Sequence, residues 1–234
     1  MDKYVSQYCP INLESDKTSL LRVEKHLIEK REEADITIYT DGSKMDHKLG
    51  FGVHITGEIE TDHCGSIRDE GTVYMAEIAA IKKAVEIVLD YNLREKVISI
   101  RSDSKAAIMT LEANKFKSRL AYETRLLMDE LGTQNLLYIH WVKAHVAELG
   151  NEIADELAKD GRVADDIYRE DTLVPLSYRK NQIKSKSLYF WERKWKESNG
   201  RTQTKHWFDK INPMKSIEIL SYKRHKVAKL TQFI

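Results

Sequence analysis

The stretch ITIYTDGSK, residues 36–44, places an acidic residue directly after a run of β-branched and aromatic residues. Such a run has the composition of a β-strand. Asp, Gly and Ser in succession are typical of the end of a strand, because Asp and Ser bond the turning backbone and Gly tolerates a positive φ. Asp41 is therefore either a turn residue or a residue at the carboxyl end of a central strand that points into a site.

Composition limits the classes of protein to consider. The chain has 234 residues, of which 41% are hydrophobic and 32% are charged, enough for one well-buried domain with additional segments. Cys9 and Cys64 are far apart and have no His or Cys at metal-ligand spacing, so neither a disulfide framework nor a zinc site is indicated. The sequence lacks a signal peptide and a long apolar run. These features predict an intracellular protein, nuclear or cytoplasmic, without membrane association.

The charge is divided unevenly along the chain. Residues 172–234 contain 15 Lys or Arg against 4 Asp or Glu, whereas residues 1–171 contain 23 against 33. A basic C-terminal segment of this kind is either a nucleic-acid contact surface or a tail whose charges are solvated. Both interpretations stay open at the level of composition.

Apolar periodicity predicts an order of elements after an N-terminal amphipathic helix at residues 18–34. That order, strand–strand–strand–helix–strand–helix–helix–strand–helix, implies a mixed sheet covered by helices. The expected strands are residues 36–40, 49–56, 58–67, 97–101 and 136–142, and the expected helices are 73–89, 104–113, 119–131 and 151–161.

Four acidic residues occupy notable positions in this order. Asp41 and Asp103 each follow a predicted strand, Glu77 lies at the edge of the apolar stripe of its helix, and Asp155 lies early in the last helix. Three of them have a local explanation: a turn for Asp41, a helix cap for Asp103 and a favourable interaction with the helix dipole for Asp155. Glu77 needs a partner, because a lone carboxylate there would be partly desolvated.

Convergence of the four carboxylates explains all of these placements at once. Four close carboxylates repel one another and stay partly protonated unless divalent cations lie among them. Mg²⁺ takes hard oxygen ligands and keeps water and substrate phosphates in its shell. The chemistry that suits such a cluster is two-metal hydrolysis of a phosphodiester.

Four motifs in order carry a family resemblance: YTDGSK (39–44), VYMAEIAAIKKAV (73–85), IRSDSKAAI (100–108) and WVKAHVAELGNEIADELAK (141–159). Together they resemble the ribonuclease H domain on the C-terminal side of reverse transcriptases in non-LTR retrotransposons. The resemblance implies an α/β, ribonuclease H-like fold. Its sheet would have five strands, three antiparallel and then two parallel, flanked by helices. The chain would comprise a linker (1–35), the ribonuclease H domain (36–163) and a basic extension (164–234), as a piece of a reverse transcriptase polyprotein.

The resemblance also implies an activity and its residues. The enzyme would hydrolyse the RNA strand of RNA/DNA hybrids and leave 5′-phosphate and 3′-hydroxyl ends. Two Mg²⁺ ions, with Mn²⁺ as the alternative, would be held by the four carboxylates, with Asp41 shared between them. His145 would relay protons, and groups near Gly42, Ser43, Glu77 and Asn151 would read the RNA 2′-hydroxyl. The expected catalytic residues are Asp41, Glu77, Asp103, Asp155 and His145.

Two departures from the family pattern and two rival functions accompany the resemblance. The family often has Gly where Ala147 stands and an apolar residue where Glu148 stands, and the link between residues 113 and 120 is too short for a basic helical protrusion. We therefore expect another part of the chain to bind the substrate, and the basic tail is one candidate. The rival functions are a non-catalytic nucleic-acid-binding fragment and a DNA-cutting integrase or transposase of the same fold.

Overall fold

The chain divides into two compact units, Met1–Pro175 and Leu176–Ile234. A computed structural model of the chain describes residues 13–14, 22–24, 34–143, 148–163, 168–197 and 221–224. The first unit contains a mixed sheet with helices, and the second includes one long helix. The strands are β1 (Leu13–Glu14), β2 (Arg22–Glu24), β3 (Ile36–Met45), β4 (Lys48–Gly57), β5 (Thr61–Ile67), β6 (Val97–Ser102), β7 (Lys115–Phe116), β8 (Leu136–Trp141) and β9 (Tyr168–Arg169).

The helices agree closely with the periodicity of the sequence. Thr72, Ser104 and Ser118 cap the first three through their side chains, which accept hydrogen bonds from backbone amides of the first turn. The helices are α1 (Val73–Asp90), α2 (Lys105–Glu112), α3 (Arg119–Gly132), α4 (Leu149–Asp160) and α5 (Leu176–Glu197). None of the described helices has the length and apolar character that crossing a membrane requires.

The main sheet confirms the predicted fold class. Its strand order is β2-β8-β6-β3-β4-β5-β9, in which β3, β4 and β5 are antiparallel and β6 and β8 run parallel to β3. The two short outer strands, β2 and β9, were not predicted. A helix over residues 18–34 is wrong at Arg22–Glu24, because these residues pair with β8 as a parallel edge strand. The rest of that predicted helix lies outside the described residues, apart from Ala34.

Strand β3 does not end at Asp41-Gly42-Ser43, as the turn interpretation expected. It continues to Met45 because Asp41 pairs with Gly52 and Ser43 with Gly50 on β4. The hairpin turns instead at Asp46 and His47, which have φ angles of 48° and 68°. Two consecutive positive φ angles are what a two-residue hairpin turn of matching twist requires. Asp41 is therefore a residue inside a strand, and the pleat of the sheet determines the face on which its side chain lies.

Helices α1 and α4 pack on opposite faces of the sheet. On one face, a Cβ at Gly42 would lie 2.7 Å from the backbone nitrogen of Glu77 in α1. On the other face, Cβ atoms at Gly50 and Gly52 would collide with the backbone of α4. Alternate residues of a strand share a face, so Tyr39 and Asp41 lie on the α4 side. The apolar core fills the α1 side, where Ile36, Ile38 and Ile100 are fully buried.

Residues 168–175 lie with the first unit, although the division predicted from sequence assigns them to the C-terminal extension. Strand β9 pairs with β5, and the buried carboxylate of Glu170 accepts a hydrogen bond from Lys82 at 2.6 Å. Thr172 and Val174 are also buried. A truncation that preserves the first unit should therefore end after Pro175.

Candidate active site

Three of the predicted acidic residues meet where β3, β6 and α1 come together. Asp41, Glu77 and Asp103 each offer one carboxylate oxygen, and these oxygens all lie within 4.8 Å of one another. Asp41 and Glu77 are only 8% and 5% exposed. The site is thus a compact group of carboxylates that is largely withdrawn from solvent.

The parallel pairing of β3 and β6 brings Asp41 and Asp103 to the same end of the sheet. Thr40 pairs with Ser102, the last residue of β6, and each acid follows directly. The alternative interpretation of Asp103 as a helix cap is wrong, because the side chain of Ser104 accepts the hydrogen bond from the Ala107 amide at 3.4 Å. The cap is therefore supplied by the neighbouring serine, and the Asp103 carboxylate belongs to the acidic cluster.

Glu77 reaches the cluster from the first turns of α1. One of its carboxylate oxygens, Oε2, is buried and has no hydrogen-bond partner among the described residues. An unsatisfied buried carboxylate oxygen is costly and unusual in a folded protein. This oxygen is consequently the strongest sign that the site is built to receive a ligand.

Burial and mutual repulsion raise the pKa values of two of the three carboxyl groups. Burial raises the pKa of Glu77 to about 9, with further contributions from the charges of Asp41 and Asp103. Burial likewise raises the pKa of Asp41 to about 7, with contributions from Asp103 and Asp155. Hydrogen bonding to the backbone of Gly42 opposes both shifts. Without a cation, these groups are therefore substantially protonated at neutral pH.

This donor set fits a divalent metal ion. Three carboxylates supply hard oxygen ligands at close range, one oxygen lacks any described partner, and the electrostatic strain is of the sign that a cation relieves. The chemistry of the donors favours Mg²⁺ or Mn²⁺ over metals that prefer nitrogen or sulfur.

The fourth predicted acid, Asp155, lies on α4 and outside the three-residue group. Its Oδ2 accepts a hydrogen bond from the ammonium of Lys159, one helical turn later, at 2.6 Å. Its charge still contributes to the raised pKa of Asp41, so it is electrostatically part of the site. Lys159 acts in the opposite direction on Asp41 and occupies a cationic position beside the acids.

The remaining predicted residues have mixed outcomes. His145 and Ala147 lie outside the described residues. Asn151 is in the first turn of α4, and its buried Oδ1 has no hydrogen-bond partner within the described part of the chain. Gly42 and Ser43 lie within β3 beside Asp41, and Gly42 has a packing role because of its close approach to α1. Their roles in substrate binding stay predictions.

Tyr39 and Arg101 were not predicted as site residues. They pair in register on β3 and β6, and each lies two residues before an acid of the cluster. Both contact Glu148, the residue before α4: the Tyr39 hydroxyl donates to its Oε1 at 3.2 Å, and Arg101 forms an ion pair with the same atom. The sequence signal was available, because residues two positions apart on a strand share a face.

The chain is similar to several known proteins. The sequence pattern of the RNase H family matches residues 33–163. Pol polyproteins of equine infectious anemia virus, from strain Wyoming and isolates 1369 and CL22, are each 28% identical over 153 residues. That match covers 64% of this chain and 12% of the polyprotein, so the chain spans only a small part of these relatives. The crystal structure of RNase H1 from Halobacterium salinarum NRC-1 matches with a TM-score of 0.43 and 22% identity, over 54% of this chain and 96% of that one.

The family match spans more than half of the chain and contains the whole acidic cluster. The chain belongs to the RNase H family. An origin in a polyprotein and the non-LTR type of the parent element stay predictions.

The raised pKa of Glu77 predicts a pH-dependent loss of stability in the metal-free protein. The folded state holds a proton on Glu77 up to about pH 9, whereas the unfolded chain releases it near pH 4.5. Stability attributable to this group is therefore present below pH 4.5 and is lost as the pH rises toward 9, by up to about 1.4 kcal/mol per pH unit. Glu77→Gln, which cannot ionise, should become progressively more stable than the wild type across this window.

Urea unfolding in a chelating buffer between pH 5 and 8.5 measures this difference. Saturating Mg²⁺ should reverse the order, because only the wild type retains the full ligand set. Glu86→Gln is the matched control on the same helix, since Glu86 pairs with Lys82 and Lys83 outside the cluster. A Glu77→Gln difference that does not vary with pH would contradict the prediction.

Proposed function

We propose that this protein is a metal-dependent endoribonuclease that hydrolyses the RNA strand of RNA/DNA hybrids. The observation that carries the proposal is the compact group of Asp41, Glu77 and Asp103 in a member of the RNase H family, where one buried oxygen of Glu77 has no hydrogen-bond partner among the described residues. A nucleic-acid-binding fragment without catalysis would gain nothing from buried carboxylates, because they repel phosphate.

The proposed cofactor is a pair of Mg²⁺ ions, for which Mn²⁺ can substitute. Asp41 would take part in holding the ions, because its carboxylate lies close to those of Glu77 and Asp103. Glu77 and Asp103 would complete one set of ligands and Asp155 would contribute to the other. Bound divalent cations supply the positive charge that activates water for attack and stabilises the leaving oxygen.

The chain's own residues have separate tasks in this reaction. The carboxylates would hold the cations, and burial of Glu77 and Asp41 keeps the surroundings at low dielectric. His145 would transfer a proton to or from the reacting oxygens, because an imidazole titrates near neutral pH. Asn151, whose Oδ1 has no hydrogen-bond partner within the described ranges, and the backbone near Gly42 and Ser43 would contact the RNA 2′-hydroxyl.

One assay distinguishes the proposed function from the rival, the DNA-cutting function of an integrase or transposase. Labelled RNA/DNA hybrid, double-stranded DNA and double-stranded RNA of one sequence are compared with and without Mg²⁺. Selective cleavage of the hybrid's RNA strand, with 5′-phosphate products, supports the proposal. Equal cleavage of double-stranded DNA would reject it, and binding without cleavage in Mg²⁺ or Mn²⁺ would identify a non-catalytic binder.

Asp103→Asn should fold like the wild type and lose nearly all hydrolysis. The amide preserves the shape of the side chain, and the helix cap is unaffected because Ser104 supplies it. The lost negative charge weakens the ligand set for a divalent cation. Hybrid cleavage and thermal unfolding are measured together, with Asp129→Asn on α3 as the charge-matched control. Cleavage at the wild-type rate in Asp103→Asn would remove this residue from the active site.

His145→Ala should slow turnover by roughly 10²-fold, the lower range for loss of a general acid or base. Binding of Mg²⁺, measured by calorimetry, should be unchanged, because the proposed ligands are the carboxylates. Complete loss of metal binding in this variant would show that His145 acts as a ligand instead.

We propose that α5 contributes to substrate binding, because the first unit is acidic and its substrate is a polyanion. Within α5, 7 Lys or Arg accompany only 2 Glu. Tyr189, Phe190 and Trp191 are 59–63% exposed on this helix. Basic side chains interleaved with aromatic rings can contact phosphates while the rings stack on bases or pack.

Replacing Lys180, Lys184 and Lys186 by Gln should weaken hybrid binding and flatten its salt dependence. Each lost phosphate contact reduces the slope of log affinity against log salt by roughly 0.7–0.9. Binding is measured by fluorescence anisotropy in a chelating buffer, where no cleavage occurs. The control removes equal charge at exposed positions of the first unit: Lys48, Arg94 and Arg119. Equal slopes in the α5 variant and the wild type would assign the tail to packing alone.

A further inference from the structure

Asp155 requires a positioning device, because it sits on an element separate from the other three acids. Asp41 and Asp103 are fixed by paired strands, and Glu77 is fixed by the close contact of α1 with β3 at Gly42. Asp155 depends on the placement of α4. The second half of α4 is held against β4, where Gly52 approaches Ala154 and Ala158 and leaves no room for a side chain. These glycine contacts do not hold the first turn.

The first turn of α4 is attached to the sheet by a group that we call the anchor: Tyr39, Arg101 and Glu148. Arg101 forms an ion pair with Glu148, and its guanidinium lies 5.5 Å from the centre of the Tyr39 ring. The Tyr39 hydroxyl donates to Glu148 at 3.2 Å and accepts from Arg101 at 3.4 Å. The Tyr39 ring also lies against Gly150, where a Cβ would collide with it.

Glu148 occupies the N-cap position of α4 without acting as a side-chain cap. Its backbone oxygen accepts hydrogen bonds from the amides of Asn151 and Glu152, at 2.9 and 3.2 Å, which begin the helix. Its carboxylate makes no capping hydrogen bond and is engaged with Arg101 instead. Glu is not among the preferred capping residues. The carboxylate thus links the helix to β3 and β6 and leaves the cap itself without a side chain.

The spacing along α4 relates the anchor to Asp155. Residues seven apart in a helix are separated by nearly two turns and return to the same face, about 10 Å apart along the axis. Glu148 and Asp155 have this spacing. Tyr39 and Arg101 each precede a cluster acid by two residues on the same strand face. The contacts within the anchor therefore link β3, β6 and α4, which position Asp41, Asp103 and Asp155.

We propose that Tyr39, Arg101 and Glu148 are positioning residues that set the distance of Asp155 from the Asp41–Glu77–Asp103 cluster, and with it the affinity of the site for divalent cations. This inference rests on the proposed function in so far as the ligand is a catalytic cation. Residues that orient metal ligands typically change metal affinity by 10- to 100-fold when replaced. The anchor is partly exposed, so the lower end of that range is expected.

The test is a cycle of variants read by Mg²⁺ binding in calorimetry, without substrate. Glu148→Gln preserves shape and removes the charge, and we expect it to weaken Mg²⁺ binding by about tenfold. Arg101→Gln should have a similar effect, and the double variant should be no weaker than either single one. In an Asp155→Asn background the Glu148→Gln effect should fall below about twofold, because the anchor acts through Asp155.

The control is Glu58→Gln, which breaks a comparable ion pair with Lys96 away from the cluster. Thermal unfolding of every variant in chelator shows whether stability alone has changed. A purely structural ion pair would lower stability and leave Mg²⁺ affinity unchanged, or would weaken Mg²⁺ binding equally with and without Asp155. Either result overturns the proposal. Should Glu148→Gln fail to fold, Tyr39→Phe gives a smaller loss in the same cycle, again abolished in Asp155→Asn.

Hybrid cleavage by the same proteins separates this inference from the proposed function. Cleavage by the wild type with no change of Mg²⁺ affinity in the anchor variants rejects the anchor and leaves the function standing. Anchor-dependent Mg²⁺ binding without hybrid cleavage supports the anchor and rejects the proposed function. A wild type that binds neither Mg²⁺ nor Mn²⁺ rejects both.

Discussion

Gly42 lets the backbone of α1 approach β3 more closely than any other residue would allow, since a Cβ there would lie 2.7 Å from the Glu77 nitrogen. This contact pushes the Glu77 carboxylate beside Asp41 in a place where water does not reach one of its oxygens. The same glycine backbone partly offsets the cost by hydrogen bonding near both carboxyl groups. The acidic cluster is thus a consequence of backbone packing, and a substitution at Gly42 would change the site through the fold before it changed any contact with substrate.

The two faces of the sheet contribute to the site in different ways. On the α1 face, burial and close packing give Glu77 a fixed position and a raised pKa. On the α4 face, Asp155 is held by a helix that rests on glycines and by one polar anchor, with its carboxylate paired to Lys159. The site therefore has a rigid part on the α1 side and an adjustable part on the α4 side, and the two parts meet at Asp41. Affinity for a cation should therefore be tuned mainly through α4, because the other ligands cannot move without disturbing the core.

Much of this arrangement could be predicted from the sequence. The five central strands and four helices of the first unit follow from periodicity, because each has a buried stripe that composition reveals. Asp41 and Asp103 could be placed together because each follows a run of residues predicted as a strand, although β3 in fact continues past Asp41 to Met45. Local turn chemistry at Asp41-Gly42-Ser43 was misleading, since ladder pairing with Gly50 and Gly52 outweighs the turn preference of three residues. The short strands β2 and β9 carry no periodic signal in two or three residues. Separation of Asp155 from the other acids depends on how α4 lies on the sheet, which no local pattern encodes.

Protons and metal ions compete for the same oxygens in this site. At pH 7 the carboxyl of Asp41 is close to half protonated and that of Glu77 is mostly protonated when no cation is bound, because their pKa values are about 7 and 9. Cation binding must displace those protons, so apparent metal affinity rises with pH until both groups are ionised. Lys159 adds a second competitor, since its ammonium already neutralises Asp155 at 2.6 Å. In the proposed two-ion site, Asp155 would exchange a flexible, half-exposed ammonium for the cation, which is easier than expelling a buried partner. Three of the acids are thus kept stable in the metal-free fold by two means, protonation for Asp41 and Glu77 and an ion pair for Asp155, and both means are reversible when a cation binds.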